Sequence, residues 1–191
     1  MSNTWFIGDT HLGHEGMIRF VDKDGKKIRD FRTIEEHDNT LINNINAVVK
    51  PADRLYFMGD VAINQRCIPM LERINGRKKL IKGNHDIFHL KKYTPYFEDI
   101  ISYRVYPKHG MIFSHIPVHP CQLEFRFKYN VHGHMHSNKI MGGSPVDKDD
   151  KRIYHPMQPD PRYLNICPEH TFMKPVSFED ILVLLQHEMK H

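Results

Sequence analysis

Long hydrophobic runs are what this chain of 191 residues most clearly lacks. Its apolar stretches are a few residues each, far short of the roughly 20 needed to cross a bilayer, so no membrane-spanning helix and no membrane partner is expected. The N-terminus passes through Met-Ser-Asn-Thr straight into a short apolar segment, without a basic start and a long hydrophobic stretch. A secretory signal is therefore not expected, and the chain reads as cytoplasmic. Cysteine is scarce. Cys67, Cys121 and Cys167 are odd in number and far apart, which argues against a disulfide framework or a zinc knuckle and leaves reduced structural thiols. A large charge of one sign is missing too. The formal net charge is +4, with lysines and arginines scattered among the acids, so there is no arm or tail for nucleic acid. No internal repeat or low-complexity segment breaks the chain. With 40% hydrophobic residues it has enough apolar side chain for one core and too little length for two, so residues 1–191 read as a single domain.

What is present is an alternation of short apolar runs and helical stretches. Trp5-Phe6-Ile7, Leu55 to Met58, Leu80-Ile81, Met111-Ile112-Phe113, Tyr129-Asn130-Val131 and Tyr163 to Ile166 read as buried strands bounded by Gly, Asp or Pro. Thr33-Ile34-Glu35-Glu36 is a capping box opening a helix with Leu41, Ile45 and Val48 on one face, ending at Pro51. Ser177 to Asp180 opens another, with Ile181, Leu182, Leu185 and Met189 spaced for burial, and a third is predicted over about Pro69 to Ile74. Gly142 to Pro161 reads as a long surface loop. The fold class is α/β.

Against that background, metal-ligand residue types recur in a fixed order: Asp9-Thr10-His11, Gly59-Asp60, Gly83-Asn84-His85-Asp86, Ser114-His115 and Gly133-His134-Met135-His136. Asp9, Asp60, Asn84 and His115 each fall at or just past the C-terminal end of a predicted strand, where open α/β sheets converge on a ligand crevice. Such a set can hold two adjacent divalent ions, an arrangement suited to hydrolysis of phosphate esters. The mixture of imidazole and oxygen donors fits Mn²⁺, Fe, Zn²⁺ or Ni²⁺ better than Ca²⁺, with Mn²⁺ favoured for activity.

The order D-T-H, G-D, G-N-H-D, S-H, G-H-M-H resembles the calcineurin-like metallophosphoesterase family, in its small single-domain bacterial and phage form. The stretch from Asn165 to Val176 is similar to the closing strand and turn of those members. The resemblance implies a two-sheet αββα sandwich of the metallo-dependent phosphatase type. It also implies that Asp9, His11 and His136 hold one ion, that Asn84, His115 and His134 hold the other, and that Asp60 bridges them. Attack on phosphorus by a metal-bound hydroxide would follow. His85 would be the general acid on the leaving-group side, and Asp86 would orient its ring. His14 is a candidate contact to substrate phosphate, and His119 a similar but poorer one. Arg19, Arg66 and Arg126 could fork a phosphate, although exposed arginines are common. His155, His187 and His191 lie outside any ligand spacing and read as solvent-facing. The alternation of Phe125, Phe127 and Tyr129 with Arg126 and Lys128 fits a half-buried strand or loop better than a base-stacking surface.

These features predict a phosphoesterase whose partner is a small phosphorylated or nucleotide-like substrate, most simply a phosphodiester. A phosphomonoesterase and a nuclease of the same family are the alternatives. Nucleic acid is not favoured, because the family's nucleases carry further domains. A non-catalytic scaffold, like the retromer subunit of this fold, is disfavoured by the presence of His85.

Overall fold

The computed structural model describes residues 2–142 and 158–188, with the side chains of 186–188 left out. Its elements are β1 (Thr4–Ile7), α1 (Ile34–Val48), β2 (Arg54–Phe57), β3 (Arg77–Ile81), β4 (Asp99–Ile101), β5 (Tyr103–Tyr106), β6 (Met111–Ser114), α2 (Gln122–Phe125), β7 (Tyr129–His132), β8 (Met141–Gly142), β9 (Gln158–Pro159), β10 (Tyr163–Asn165), β11 (Val176–Ser177) and α3 (Phe178–Glu188). The architecture is mixed α/β, with two main sheets and few helices. The first sheet runs β11-β1-β2-β3-β4, parallel except for β11, and the second runs β10-β7-β6-β5, parallel except for β5.

Side-chain alternation along the strands sets the layers, since successive residues point to opposite faces. Ile7, Leu55, Phe57 and Leu80 pack against Leu41, Ile42 and Ile45 of α1. Their neighbours Phe6, Tyr56 and Ile81 face the other way, onto Met111, Phe113 and Val131 of the second sheet. The two sheets therefore share a core. Phe6 anchors it, with its ring centroid 4.5 Å from Phe113 and 5.1 Å from Tyr56. The outer face of the second sheet is covered thinly, by a small cluster of Ile112, Leu123, Phe127 and Tyr163.

Each predicted strand is present, and the sequence reading missed β4, β5 and β11, which are short or lie at sheet edges. Thr33 caps α1 as expected, its hydroxyl accepting from Glu36 N at 3.1 Å. The return bond of the box goes one residue further out, from Arg32 N to the Glu36 carboxylate at 3.0 Å. Val48 is 37% exposed, and Val49, at the extended residue after the helix, takes the buried place instead. Where a helix was expected over about Pro69 to Ile74, the chain forms a 3₁₀ stretch over Gln65–Arg73. Pro69 lies inside it, and a proline ring there both removes a donor and crowds the preceding turn.

Ser177 caps α3, its Oγ accepting from Asp180 N at 3.0 Å, and Ile181 and Leu185 join the core between the sheets. Met189 lies outside the described residues. So does most of the expected loop from Gly142 to Pro161, whose ends pair as β8 and β9. His155 and His191 fall outside them as well, as does the side chain of His187. Phe125, the last residue of α2, is 89% exposed while Phe127 is buried in the loop that leads to Tyr129, the first residue of β7. Among the described residues no helix is long and apolar enough to cross a membrane.

Candidate metal centre

The loops that leave the C-terminal ends of β1, β2, β3, β6, β7 and β10 meet at one end of the two sheets. Backbone bonds join the first two loops like a continued strand pair: His11 N to Asp60 O and Leu12 N to Val61 O, both 2.9 Å. The third loop is tied to the second by Asp86. Its buried carboxylate accepts from Asp60 N (2.9 Å), Val61 N (3.0 Å) and Gly83 N (2.8 Å). His85 N in turn donates to Asp60 Oδ1 at 2.8 Å. The two sheets are joined at this end by His134 N, which donates to both oxygens of Asp9, and by His115 Nδ1, which lies 2.8 Å from Met58 O.

Three overlapping groups of side chains could hold a metal ion: Asp9 with His11 and Asp60, Asp60 with His115 and His134, and Asp9 with His136 and Cys167. Within each group the ligand atoms lie within 4.8 Å of one another. Asn84 joins the second, with Oδ1 2.8 Å from His115 Nε2. All seven residues that the sequence reading named as ligands are therefore brought together, and Cys167, read only as a structural thiol, lies among them. Its Sγ donates to Asp9 Oδ2 at 3.2 Å, and all three cysteines are free thiols.

The electrostatics favour a cation. Both ring nitrogens of His11 are buried without a hydrogen-bond partner. Burial, and then the nearby Arg29 charge, push that ring well below the usual histidine range, so it is a neutral donor of lone pairs. A carbonyl can only accept, so His115 Nδ1 carries a proton toward Met58 O, and in the neutral ring Nε2 presents a lone pair. That lone pair faces Asn84 Oδ1 at 2.8 Å and Asp60 Oδ2 at 3.4 Å, three electron-rich atoms around one point. Burial would lower His115, but the Asp60 and Asp9 carboxylates raise it, a sign that positive charge is stabilised there. Burial raises Asp9, whereas Asp60 is lowered, because His115 and His11 outweigh its own burial.

Backbone strain concentrates at the same place. Of the seven non-glycine residues with positive φ among the described residues, five are Asp9 (38°), His11 (47°), Asp60 (52°), His134 (67°) and His136 (47°). Each such conformation costs on the order of 1 kcal/mol or more and persists where surrounding bonds over-determine it. Close approach explains the glycines of the motifs. A Cβ on Gly133 would overlap Asp9 Oδ2, and one on Gly83 would overlap Asp60 Oδ1. Gly133→Ala should therefore displace the carboxylate that His134 N holds. The expected result is a loss of stability of about 1–3 kcal/mol by thermal unfolding, with loss of bound metal by elemental analysis. A variant with full metal content would show that the loop can yield.

No family model matches the chain. The uncharacterized protein MJ1445 of Methanocaldococcus jannaschii is 30% identical over 192 residues, spanning 97% of this chain and 93% of that protein. The chain belongs to the MJ1445 family. Gene 66 protein of Mycobacterium phage L5 is 31% identical over 121 residues, 61% of this chain and 52% of its own length, so the match spans about half of the phage protein. Among solved structures, the protein of unknown function AQ665 from Aquifex aeolicus superposes with a TM-score of 0.65 at 25% identity, over 96% of this chain and all of that one. An archaeal phosphodiesterase gives a TM-score of 0.44 at 14% identity over 85% of this chain and 82% of its own, a separation that carries no functional argument.

In this member of the MJ1445 family, one residue expected in the site does something else. Asp86 was expected to orient the His85 ring, but its two oxygens are taken up by three backbone N–H groups of its own and the preceding loop. Adjacent residues in a tight turn point apart, and His85 is exposed while Asp86 is fully buried. His14 does lie at the site, its ring centroid 5.6 Å from His11 and 5.8 Å from Phe20, with a buried, unpartnered Nδ1. The His85 ring lies 5.9 Å from that of His11. Arg19 is paired with Glu15 at the surface, Arg126 lies over the Phe127 ring, and His119 accepts from Cys121 N.

The sequence reading missed Arg29, Glu169, His37 and Asp38. Arg29 is 2% exposed and donates to Asp9 O (2.6 Å), Thr10 O (3.2 Å) and Glu169 Oε1 (2.9 Å). Burial would raise the Glu169 carboxyl, but its bond to His136 and the Arg29 charge hold it down at about 2. No motif spacing announces this network, because the Arg29 and Glu169 partners are 140 residues apart in the chain.

Proposed function

We propose that this protein is a dinuclear-metal phosphoesterase, an αββα sandwich of the metallo-dependent phosphatase type, acting on a small phosphodiester. The observation that carries the reading is the convergence of seven ligand-type side chains, four of them buried, on one strained set of loops, where His11 keeps two unpartnered nitrogens. Asp9, His11 and His136 would hold one ion, and Asn84, His115 and His134 the other, with Asp60 between them. Bound there, divalent ions such as Mn²⁺ would bring the pKa of water from about 15.7 toward 7 and offset charge on the phosphoryl oxygens.

The chain's own residues supply the rest. A bridging role for Asp60 is supported by its carboxylate, whose Oδ1 is anchored by His85 N while Oδ2 lies 3.7 Å from His11 Nε2 and 3.4 Å from His115 Nε2. Asn84 offers an amide oxygen and so adds no negative charge against an anionic substrate. The backbone of His85 is tied to Asp60 while its ring is exposed at the mouth of the site. A protonated ring there can give its proton to the departing oxygen and recover one from solvent. His14, with its ring centroid 5.6 Å from that of His11, would donate to a phosphoryl oxygen.

The test is hydrolysis of a chromogenic diester and of the matching monoester by the full chain with Mn²⁺, before and after chelation. Diester turnover that chelation abolishes is the expected result. Faster monoester turnover would make the protein a phosphomonoesterase of the same site, and no metal-dependent hydrolysis of either would remove the enzymatic reading.

A further inference from the structure

We propose that Glu169, held by the buried guanidinium of Arg29, is a positioning residue of the metal centre: it fixes the His136 ring with Nδ1 protonated, so that Nε2 is offered to an ion, and it does so for one ion position only. The inference rests on the dinuclear reading above and concerns residues that neither the motifs nor the relatives assign.

The direction of each bond can be worked out. Glu169 Oε1 lies 3.1 Å from His136 Nδ1 and 2.9 Å from Arg29 Nε, and its side chain is 4% exposed. An ionised carboxylate can only accept, so the imidazole nitrogen donates, and the remaining nitrogen keeps its lone pair. Arg29 can only donate. Its Nη1 lies 3.0 Å from His37 Nε2, which therefore accepts, and the His37 proton sits on Nδ1, 2.8 Å from Asp38 Oδ1. Asp38 Oδ2 closes the line by accepting from Gly13 N at 2.9 Å. A largely buried chain of bonds thus runs from Gly13 through Asp38, His37, Arg29 and Glu169 to His136, with the two carboxylates accepting from both sides and Arg29 donating to both of its neighbours.

This chain has a structural consequence at the ions. Arg29 also holds the carbonyls of Asp9 and Thr10, at 2.6 and 3.2 Å. One guanidinium therefore sets the Asp9–His11 loop and, through Glu169, the His136 ring in a common frame. The ligands of the other ion make no bond to Arg29 or Glu169: His115 takes its tautomer from Met58 O, Asn84 sits in the loop that Asp86 staples, and His134 is tied through its backbone N–H to the Asp9 carboxylate. Outer partners of this kind typically change metal affinity about 10- to 100-fold. Here the change should fall on one of two binding steps.

The experiment has two arms, on the metal-stripped full chain with Glu169→Gln and Glu169→Ala. In the first, calorimetric titration with Mn²⁺ resolves the binding steps. Glutamine keeps an acceptor oxygen and should weaken one step by about 10-fold, and alanine by about 100-fold, with the other step unchanged. In the second, ¹⁵N shifts of the metal-free protein report the His136 tautomer, expected as Nδ1–H in the parent and in Glu169→Gln, and as a mixture in Glu169→Ala. Equal weakening of both steps would make Glu169 a general support of the fold and overturn the proposal, as would titrations identical to the parent. A parent chain that binds no ion would overturn the dinuclear reading itself. The tautomer arm separates these failures, since it reads the Glu169–His136 bond with no ion present.

Discussion

If the protein is the dinuclear phosphoesterase proposed, His85→Ala is expected to lower the rate of phosphodiester hydrolysis by about 10²–10⁴-fold with fold and metal content unchanged, the range typical for loss of a general acid. The reason lies in how the residue is attached. Its backbone N–H is the group that anchors Asp60 Oδ1, and that bond survives any change of side chain. Its ring is exposed, 5.9 Å from the His11 ring, and belongs to none of the groups able to hold an ion. Truncation therefore removes a proton donor from the mouth of the site without exposing core or freeing a ligand. Substitutions at such exposed positions usually change stability by no more than about 0.5 kcal/mol. Steady-state rates, elemental analysis and thermal unfolding of parent and variant check the three parts together. Unchanged rates would take His85 out of the mechanism, and loss of metal would make it a ligand. The leaving group offers a further check: a substrate that departs as a stable aryloxide needs less protonation, so the fall should be smaller for it than for an alkyl ester.

Much of the site was legible because its chemistry is local. Asp9, Asp60, Asn84, His115, His134 and His136 each sit within a few residues of a strand end, and parallel strands deliver those ends to one side of the sheets. Short apolar runs announced the strands, and Thr33 announced α1. What stayed hidden is non-local. Arg29 lies in an irregular segment before α1, where nothing distinguishes it from a surface arginine, and its burial follows only once β1, α1 and the loop after β10 are packed together. Cys167 and Glu169 follow β10, a strand that was recognised, but residues past a strand end carry no pattern until a partner loop faces them. The helix expected over about Pro69 to Ile74 is a 3₁₀ stretch over Gln65–Arg73, with Pro69 inside it rather than at its start. Asp86 was misread because adjacency to His85 was taken for contact.

That correction carries the second large effect. Asp86→Ala should destabilise the protein by roughly 3–5 kcal/mol, because one fully buried carboxylate satisfies three backbone N–H groups and each bond to a charged acceptor contributes about 1.5–3 kcal/mol, with less than additive loss. Domains of this size are stable by about 5–15 kcal/mol in all, so the variant should unfold at markedly lower denaturant. Asp86→Asn retains one carbonyl oxygen and turns an amino group toward the donors, and should fall between parent and alanine variant. The two residues then separate cleanly: His85→Ala loses rate with stability kept, and Asp86→Asn loses stability first. Denaturant unfolding beside turnover at saturating Mn²⁺ reads both. If Asp86 oriented the imidazole instead, its asparagine variant would match His85→Ala in rate and the parent in stability. The bonds to Asp60 N and Val61 N predict otherwise. They join the loop that carries Asn84 and His85 to the loop that carries Asp60, so without them His85 and the Asp60 carboxylate no longer share one rigid support.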